Sequence, residues 1–274
     1  MSDDLVLTLR APLRATVDFS GLALPAWTEL GAAGVARLRV RVAGAGAVAL
    51  GDLFDVRGGN GGRARFAGDL SRVEALGAGL ERGEVVVEGN VGREVGARMR
   101  GGRIAVTGNA GWGAGLELAG GLLEIDGDAG PRAGGASLGA KRGMTGGELI
   151  VRGSAGPEAG ACMRRGLVAV AGDVGEGAGR AMLAGTLVVF GTTGPTPGQW
   201  SKRGSILALG PVTPPATYRY ACSYRPEYAG LILRHLRDRR GLPVTHEHLT
   251  GSYRRYSGDL AELGAGEILA WTRN

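Results

Sequence analysis

Three histidines and two cysteines are the residues of this 274-residue chain with the widest chemical repertoire. His235, His246 and His248 all lie near the carboxy terminus. His246 and His248 make a metal pair only if a strand puts both rings on one face, and no third ligand stands near them. Structural or solvent roles are therefore the expectation for all three. Cys162 and Cys222 belong to no Cys-x-x-Cys pattern, which argues against a zinc site or an iron–sulfur cluster. The expectation is reduced thiols in a cytoplasmic protein. His-Glu-x-x-His and phosphate-loop motifs are missing. An active site needs a base, a nucleophile or a metal in one cleft. The expected catalytic and metal sets of this chain are both none.

The glycine-rich steps superficially resemble dinucleotide loops. They recur every nineteen residues and open no helix, so that reading fails. The repeating unit is Gly-Gly-x-apolar-x-apolar-x-Gly-Asn/Asp-x-Gly, then x-x-Ala-Gly-x-x-Met. Copies begin near Leu76, Val95, Ala114, Ala133, Ala159, Ala178 and Pro197. A fixed period of this length means stacked units, each burying a face on its neighbours. Within a unit, Ile104 and Val106 alternate with Arg103, Ala105 and Thr107, the period-two pattern of a half-buried strand. Val85/Val87, Leu123/Ile125, Leu149/Val151, Val168/Val170, Leu187/Val189 and Ile206/Ala208 repeat it. Leu80, Met99, Leu118, Met144, Met163 and Met182 form a third apolar column. Glycine at fixed places in each unit would cost a helix about 1 kcal/mol apiece against alanine. At a coil corner it permits positive φ or close approach. The Gly-Asn/Asp steps, such as Gly108-Asn109, are read as structural turns in which Asn and Asp tolerate left-handed φ and bond their own backbone, and whose side chains could also bond one another along the stack.

The expected fold is all-β: a right-handed parallel β-helix of about seven coils with small capping segments at both ends. At about 4.8 Å per strand, such a rod is roughly 35 Å long. Residues 1–75 are expected to cap and dock. Leu5–Leu9 and Leu38–Val42 read as short strands, Ala26–Ala36 as a helix and Leu50–Val56 as the lead-in. Residues 76–213 form the coils. Residues 214–274 leave the repeat at Pro214-Pro215, carry an amphipathic helix over Tyr228–Arg239 that stops at Gly241 and Pro243, and end in a capping or docking segment.

One coil is irregular. Nine residues, GASLGAKRG at 135–143, separate Gly134 from Met144, where other coils have two. This insertion must bulge, and solenoid insertions commonly map to the binding face. It brings Lys141 and Arg142. The two positions after the third column hold Arg100, Arg164 and Lys202 at the first and Arg82, Arg165 and Arg203 at the second. Together these eight cations are expected along one corner. That corner is a candidate stripe for docking another protein of a complex or guiding a polyanion; a solvated solenoid edge is the bland alternative.

Net charge is +6, from 32 basic and 26 acidic residues. There is no basic run and only 5% aromatic residues, so no nucleic-acid partner is expected. No apolar stretch suggests a membrane span, and the start MSDDLVLTL has no signal-peptide pattern.

Those repeats, LGDLFDV at 50–56, GAKRGMTGGELIVRGSAG at 139–156 and YRRYSGDLAELGAGEIL at 253–269 resemble the C-type subunit of formylmethanofuran dehydrogenase. They equally resemble its bacterial relative, the C-type subunit of the formyltransferase/hydrolase complex. The resemblance covers most of the chain. The coil repeat alone is also similar to the β-helix domain of the glutamate synthase large subunit, and the tail tips the choice. The resemblance implies a β-helical scaffold with no catalytic residue of its own and no cofactor bound by this chain alone. The implied partners are the amidohydrolase-like A-type, the B-type and the formyltransferase D-type subunits of the same complex. A methanofuran-type cofactor and the metal sites are expected on those partners. The complex would move formyl from tetrahydromethanopterin to the methanofuran-type cofactor and release formate in formaldehyde oxidation. The alternatives are an archaeal-type tungsten or molybdenum formylmethanofuran dehydrogenase and a glutamate-synthase-like structural domain. Arginine bias without Lys/Glu enrichment favours the bacterial version. A solenoid acyltransferase or polysaccharide lyase is the enzymatic rival. Left-handed acyltransferase coils follow a hexapeptide period and place a histidine between coils, whereas these coils have a period of nineteen and no histidine.

Overall fold

The computed structural model describes residues 4–22, 27–59 and 62–273. In the amino-terminal part these form β1 (Leu5–Leu9), β2 (Val17–Asp18), α1 (Trp27–Ala36), β3 (Arg39–Val42), β4 (Gly46–Ala49), α2 (Leu50–Leu53), β5 (Phe54–Arg57), β6 (Arg63–Ala67) and β7 (Val73–Glu74). Ala26, the expected helix start, lies outside the described residues. The lead-in is a short helix before a strand. The coils supply β8 (Glu84–Glu88), β9 (Arg100–Val106), β10 (Gly120–Ile125), β11 (Thr145–Val151), β12 (Arg165–Val170), β13 (Thr186–Val189) and β14 (Arg203–Ala208). The tail holds β15 (Arg219–Tyr224), α3 (Glu227–Arg240), α4 (His246–Thr250), β16 (Ser252–Gly258) and β17 (Ala265–Thr272).

The chain is a parallel β-helix. Its main wall is a 13-stranded sheet in the order β15-β16-β17-β14-β13-β12-β11-β10-β9-β8-β6-β1-β5. From β1 to β17 every neighbouring pair is parallel; the β1–β5 pair at one end and the β17–β16 and β16–β15 pairs at the other are antiparallel. The parallel ladder therefore takes in strands from both flanking segments. A second wall is a line of single parallel bridges, Leu70–Val91–Ala110–Ala129–Ala155–Val174–Thr193.

The apolar columns fill the interior. Val85, Val87, Ile104, Val106, Leu149, Val151, Val168 and Val170 are at most 1% exposed. Fully burying a side chain of this kind contributes about 1.5–3 kcal/mol. The methionines pack under glycines of the next coil. A Cβ built on Gly121, Gly166, Gly185 or Gly204 would fall 2.6–2.9 Å from the terminal methyl of Met99, Met144, Met163 or Met182 respectively. An unbranched, adaptable side chain suits that gap.

The Asn/Asp corner is a ladder of a different kind from the one expected. The side chains do not bond one another. Each side-chain oxygen instead accepts the backbone N–H of its counterpart in the next coil: Asn109 N–H to Asn90 Oδ1 at 2.9 Å, Asp128 N–H to Asn109 Oδ1 at 2.8 Å and Ser154 N–H to Asp128 Oδ1 at 2.7 Å. Nor do these residues adopt left-handed φ. That conformation appears at two other corners, which hold Glu94, Arg132 and Glu158, and Arg98, Glu117, Cys162 and Ala181.

At the amino-terminal end Phe19, Phe54, Phe66 and Trp27 form an aromatic cluster, each at most 2% exposed. Near the other end α3 lies on the outer face of the main wall. Its Ala229, Leu233 and Leu236 pack with Ile150, Ala169, Val188 and Leu207, the outward positions between the interior columns. Gly241 ends the helix in a left-handed cap.

Candidate functional site

The histidines do not converge. His235 Nε2 lies 3.1 Å from both Glu148 carboxylate oxygens, and Arg240 Nε donates to Glu148 at 2.7 Å. These contacts pin α3 to β11. Burial pushes the Glu148 carboxyl up, but the hydrogen bonds from Arg240 and His235 outweigh it and hold the group below its ordinary value. His248 packs edge-on against Trp271, with ring centroids 4.8 Å apart. Burial lowers its pKa, and its Nδ1 accepts the Thr245 N–H in a capping box. His246 and His248 sit on the short helix α4, so no strand aligns them. Among the described residues no group of three His, Cys, Asp or Glu is placed to hold a metal ion. Cys162 and Cys222 are free thiols, and burial raises the Cys162 pKa.

The cations predicted for one corner begin the strands of the main wall. Arg100, Arg165 and Arg203 are the first residues of β9, β12 and β14; Arg164 and Lys202 immediately precede two of them, and Arg82 stands just before β8. Register carries the row through the stack: Arg100 is opposite Gly120, Thr145 opposite Arg165, and Arg203 opposite Ala265. The row is therefore gapped, with Arg100 and Arg164 three strand steps, about 14 Å, apart. Arg100 is paired with Glu81 at 3.2 Å, and Lys202 with Glu262 at 3.9 Å. Arg82, Lys141, Arg142, Arg164, Arg165 and Arg203 are in no ion pair among the described residues.

The insertion sits beside this row. Gly143 N–H donates to the Cys162 carbonyl at 2.8 Å, two residues before Arg164. The loop's other limb is held by Ser137 N–H to Glu117 Oε1 at 3.1 Å and by Arg132 to the Ala136 carbonyl at 3.0 Å. Its tip, 138–142, is exposed, with Leu138 76% accessible. Gly135-Ala136-Ser137-Leu138-Gly139 has the Gly-x-Ser-x-Gly spacing of a nucleophile elbow, which sequence reasoning missed. The segment follows no strand and opens no helix, and none of the three histidines is bonded to Ser137. The spacing is incidental to the loop.

Two further charged clusters escaped the sequence reading. Arg103 bridges Glu124 and Glu84 across three strands, with bonds of 2.7–2.9 Å. The bonds to Glu124 raise the Arg103 pKa despite its partial burial. Arg132 and Arg180 both hold Glu158. Burial pushes the Glu158 carboxyl up, and the two arginines more than reverse it. These are inter-coil clamps: each partner comes from a different turn, so the sequence separations are near the repeat and its insertion-lengthened variant. That spacing is the signal that could have revealed them.

No helix among the described residues is long and apolar enough to cross a membrane. No family model matches the chain, and no curated protein matches it. Among solved structures it is similar to a chain of the formyltransferase/hydrolase complex (FhcABCD) from Methylorubrum extorquens, determined in complex with methylofuran. The two are 33% identical with a TM-score of 0.86, and the match covers 98% of this chain and 100% of that one. Agreement over essentially the whole length of both chains takes in the caps and tail as well as the generic coils. The chain accordingly belongs to the family of formyltransferase/hydrolase complex subunits represented by that structure.

Proposed function

We propose that this chain is the C-type subunit of a formyltransferase/hydrolase complex, where it acts as the non-catalytic β-helical scaffold. The complex moves formyl from tetrahydromethanopterin to a methanofuran-type cofactor and releases formate during formaldehyde oxidation. Its partners are the amidohydrolase-like A-type, the B-type and the formyltransferase D-type subunits, which carry the chemistry, the metal sites and the cofactor. The observation that supports this reading most is the end-to-end match to one chain of such an assembly. It is joined by the dispersal of the three histidines among packing and capping contacts. A cytoplasmic setting follows from the same reading.

The unpaired cations at 82, 141, 142, 164, 165 and 203 are the surface on which the acidic arm of a methanofuran-type cofactor, or the subunits carrying it, meets the scaffold. Long-range attraction by a row of arginines suits a polyanion that must move. Purification of the native chain under mild conditions, with identification of its companions, tests the assignment. An amidohydrolase and a formyltransferase as stoichiometric companions support it; a lone protein contradicts it. Arg164→Glu/Arg165→Glu tests the corner, which is dismissed if assembly and formate release are both unchanged.

A further inference from the structure

The two ends of the rod are finished differently. The amino-terminal end is closed by the buried aromatic cluster. At the carboxy-terminal end the main wall runs on past the last coil: β17 continues the parallel ladder, and β16 and β15 extend it as an antiparallel edge. Tyr256 on β16 is opposite Ile268, whose side chain belongs to the interior core. Directly opposed side chains share a face, so the face of β16 bearing Tyr256 continues the inner face of the rod. Tyr220 of β15 is opposite Tyr256 and joins it, with ring centroids 6.0 Å apart.

This continuation is a ledge and not a wall. All six residues of β15 are exposed. Tyr220 is 54% accessible, and Leu260 and Leu263 in the turn between β16 and β17 are 54% and 64% accessible. Solenoid termini are normally finished with a polar outer surface, and an exposed edge strand invites pairing. A bulge between Tyr220 and Cys222 interrupts the register of β15. Side chains, more than a free backbone edge, must then do the recognising.

The ledge is electropositive. The Arg254 guanidinium lies 5.4 Å from the Tyr220 ring centre and 5.6 Å from that of Tyr256. Among the described residues Arg254 forms no ion pair, so its charge is free for a partner. The nearby carboxylates are engaged: Asp259 accepts the backbone N–H of Trp200 and of Ala261, and Glu262 pairs with Lys202. Exposed tyrosine stacked with unpaired arginine is the composition that dominates binding energy in protein interfaces.

We propose that the β15–β16 ledge docks an acidic segment of a partner subunit, its carboxylates meeting Arg254 and its apolar side chains covering Tyr220. The proposal rests on the scaffold reading and names where one partner sits. A second copy of this chain fits poorly, because a two-fold contact would set the same arginines against each other.

The test assembles the full complex with Tyr220→Ala/Arg254→Glu, with Arg254→Ala, and with Arg72→Glu as a charge-reversal control on an exposed, unpaired arginine near β7. Dissociation constants of the partner subunits are read by interferometry or native mass spectrometry. The double variant is expected to weaken association more than tenfold, Arg254→Ala at least threefold, and Arg72→Glu less than twofold. Arg254→Ala carries the test if the double variant misfolds. Wild-type affinity in both ledge variants would overturn the ledge and leave the scaffold reading standing. A wild-type chain that binds no partner overturns the scaffold reading and the ledge with it. A wild-type homodimer abolished by Tyr220→Ala/Arg254→Glu would replace the partner segment with a second copy and overturn the proposal.

Discussion

Gly79 and Gly102 share a positive φ of +69° in different surroundings. A Cβ added at Gly79 meets nothing within 4 Å, whereas at Gly102 it falls 2.7 Å from the Gly83 carbonyl oxygen and 3.1 Å from Leu80 Cδ2. Left-handed φ costs an L-residue about 1–2 kcal/mol. Losing glycine's freedom in the unfolded chain returns about 0.4–1 kcal/mol. Gly79→Ala should therefore lose about 0.5–1 kcal/mol. The coils support this figure, since Arg98, Glu117, Cys162 and Ala181 occupy the equivalent corner with φ of 55–58°. Gly102→Ala adds overlap with the backbone of the preceding coil, which cannot withdraw without lengthening the strand spacing. Overpacking of this kind costs a further 1–3 kcal/mol or so. Chemical denaturation of both variants, followed by far-ultraviolet circular dichroism and by tryptophan fluorescence, gives the comparison. Two probes are needed because stacked repeats need not unfold in one step. Equal losses at the two sites, or a larger loss at Gly79, would refute the claim that coil spacing demands glycine at the β9 corner.

The Met column supplies a second test. Met163→Ala should cost about 2–5 kcal/mol and Met163→Leu less than about 1.5 kcal/mol, read as a shift in thermal midpoint. Asn109→Ala removes the acceptor of the Asp128 N–H, bonded at 2.8 Å, and should cost about 0.5–1.5 kcal/mol in the same assay. Glu148 links pH to the seating of α3. Its folded pKa lies below its unfolded value, so its contribution is complete above the ordinary carboxylate range, about 4.3. That contribution disappears as pH falls through the lower folded value. Glu148→Gln should flatten this part of the acid-unfolding curve, and an unchanged acid limb would remove Glu148 from the account.

The fold was legible in the chain because a period of nineteen repeats the same inward pair in every coil. Ile104/Val106 and Val168/Val170 announce a strand and its face together. The helix over Tyr228–Arg239 was equally plain, since Leu233 and Leu236 share a face and Gly241 stops it; the structure gives Glu227–Arg240. Less legible was what corners do. Asn90 and Asn109 looked like left-handed turn residues, yet they serve as acceptors for the coil above, because stacking offers them a fixed N–H that an isolated turn lacks. Glu94 and Arg132 adopt left-handed φ although their residue type gives no hint of it; the coil closes only if that corner bends, whatever residue is there. The basic corner could be aligned from sequence, but its pairings with Glu81 and Glu262 could not. Glu262 comes from the tail, far outside the repeat. The ledge at Tyr220 and Arg254 was invisible for the same reason. Alternation marks a strand, but not whether anything covers it.

Formate release from formyl-tetrahydromethanopterin, measured on the isolated chain, on its partner subunits without it and on the reassembled complex, tests the scaffold claim most directly. No release is expected from this chain alone, little from partners that fail to assemble, and recovery when the chain is added back. Release by the isolated chain, or full-rate release by an assembly that lacks it, would show that the chain is not a non-catalytic scaffold.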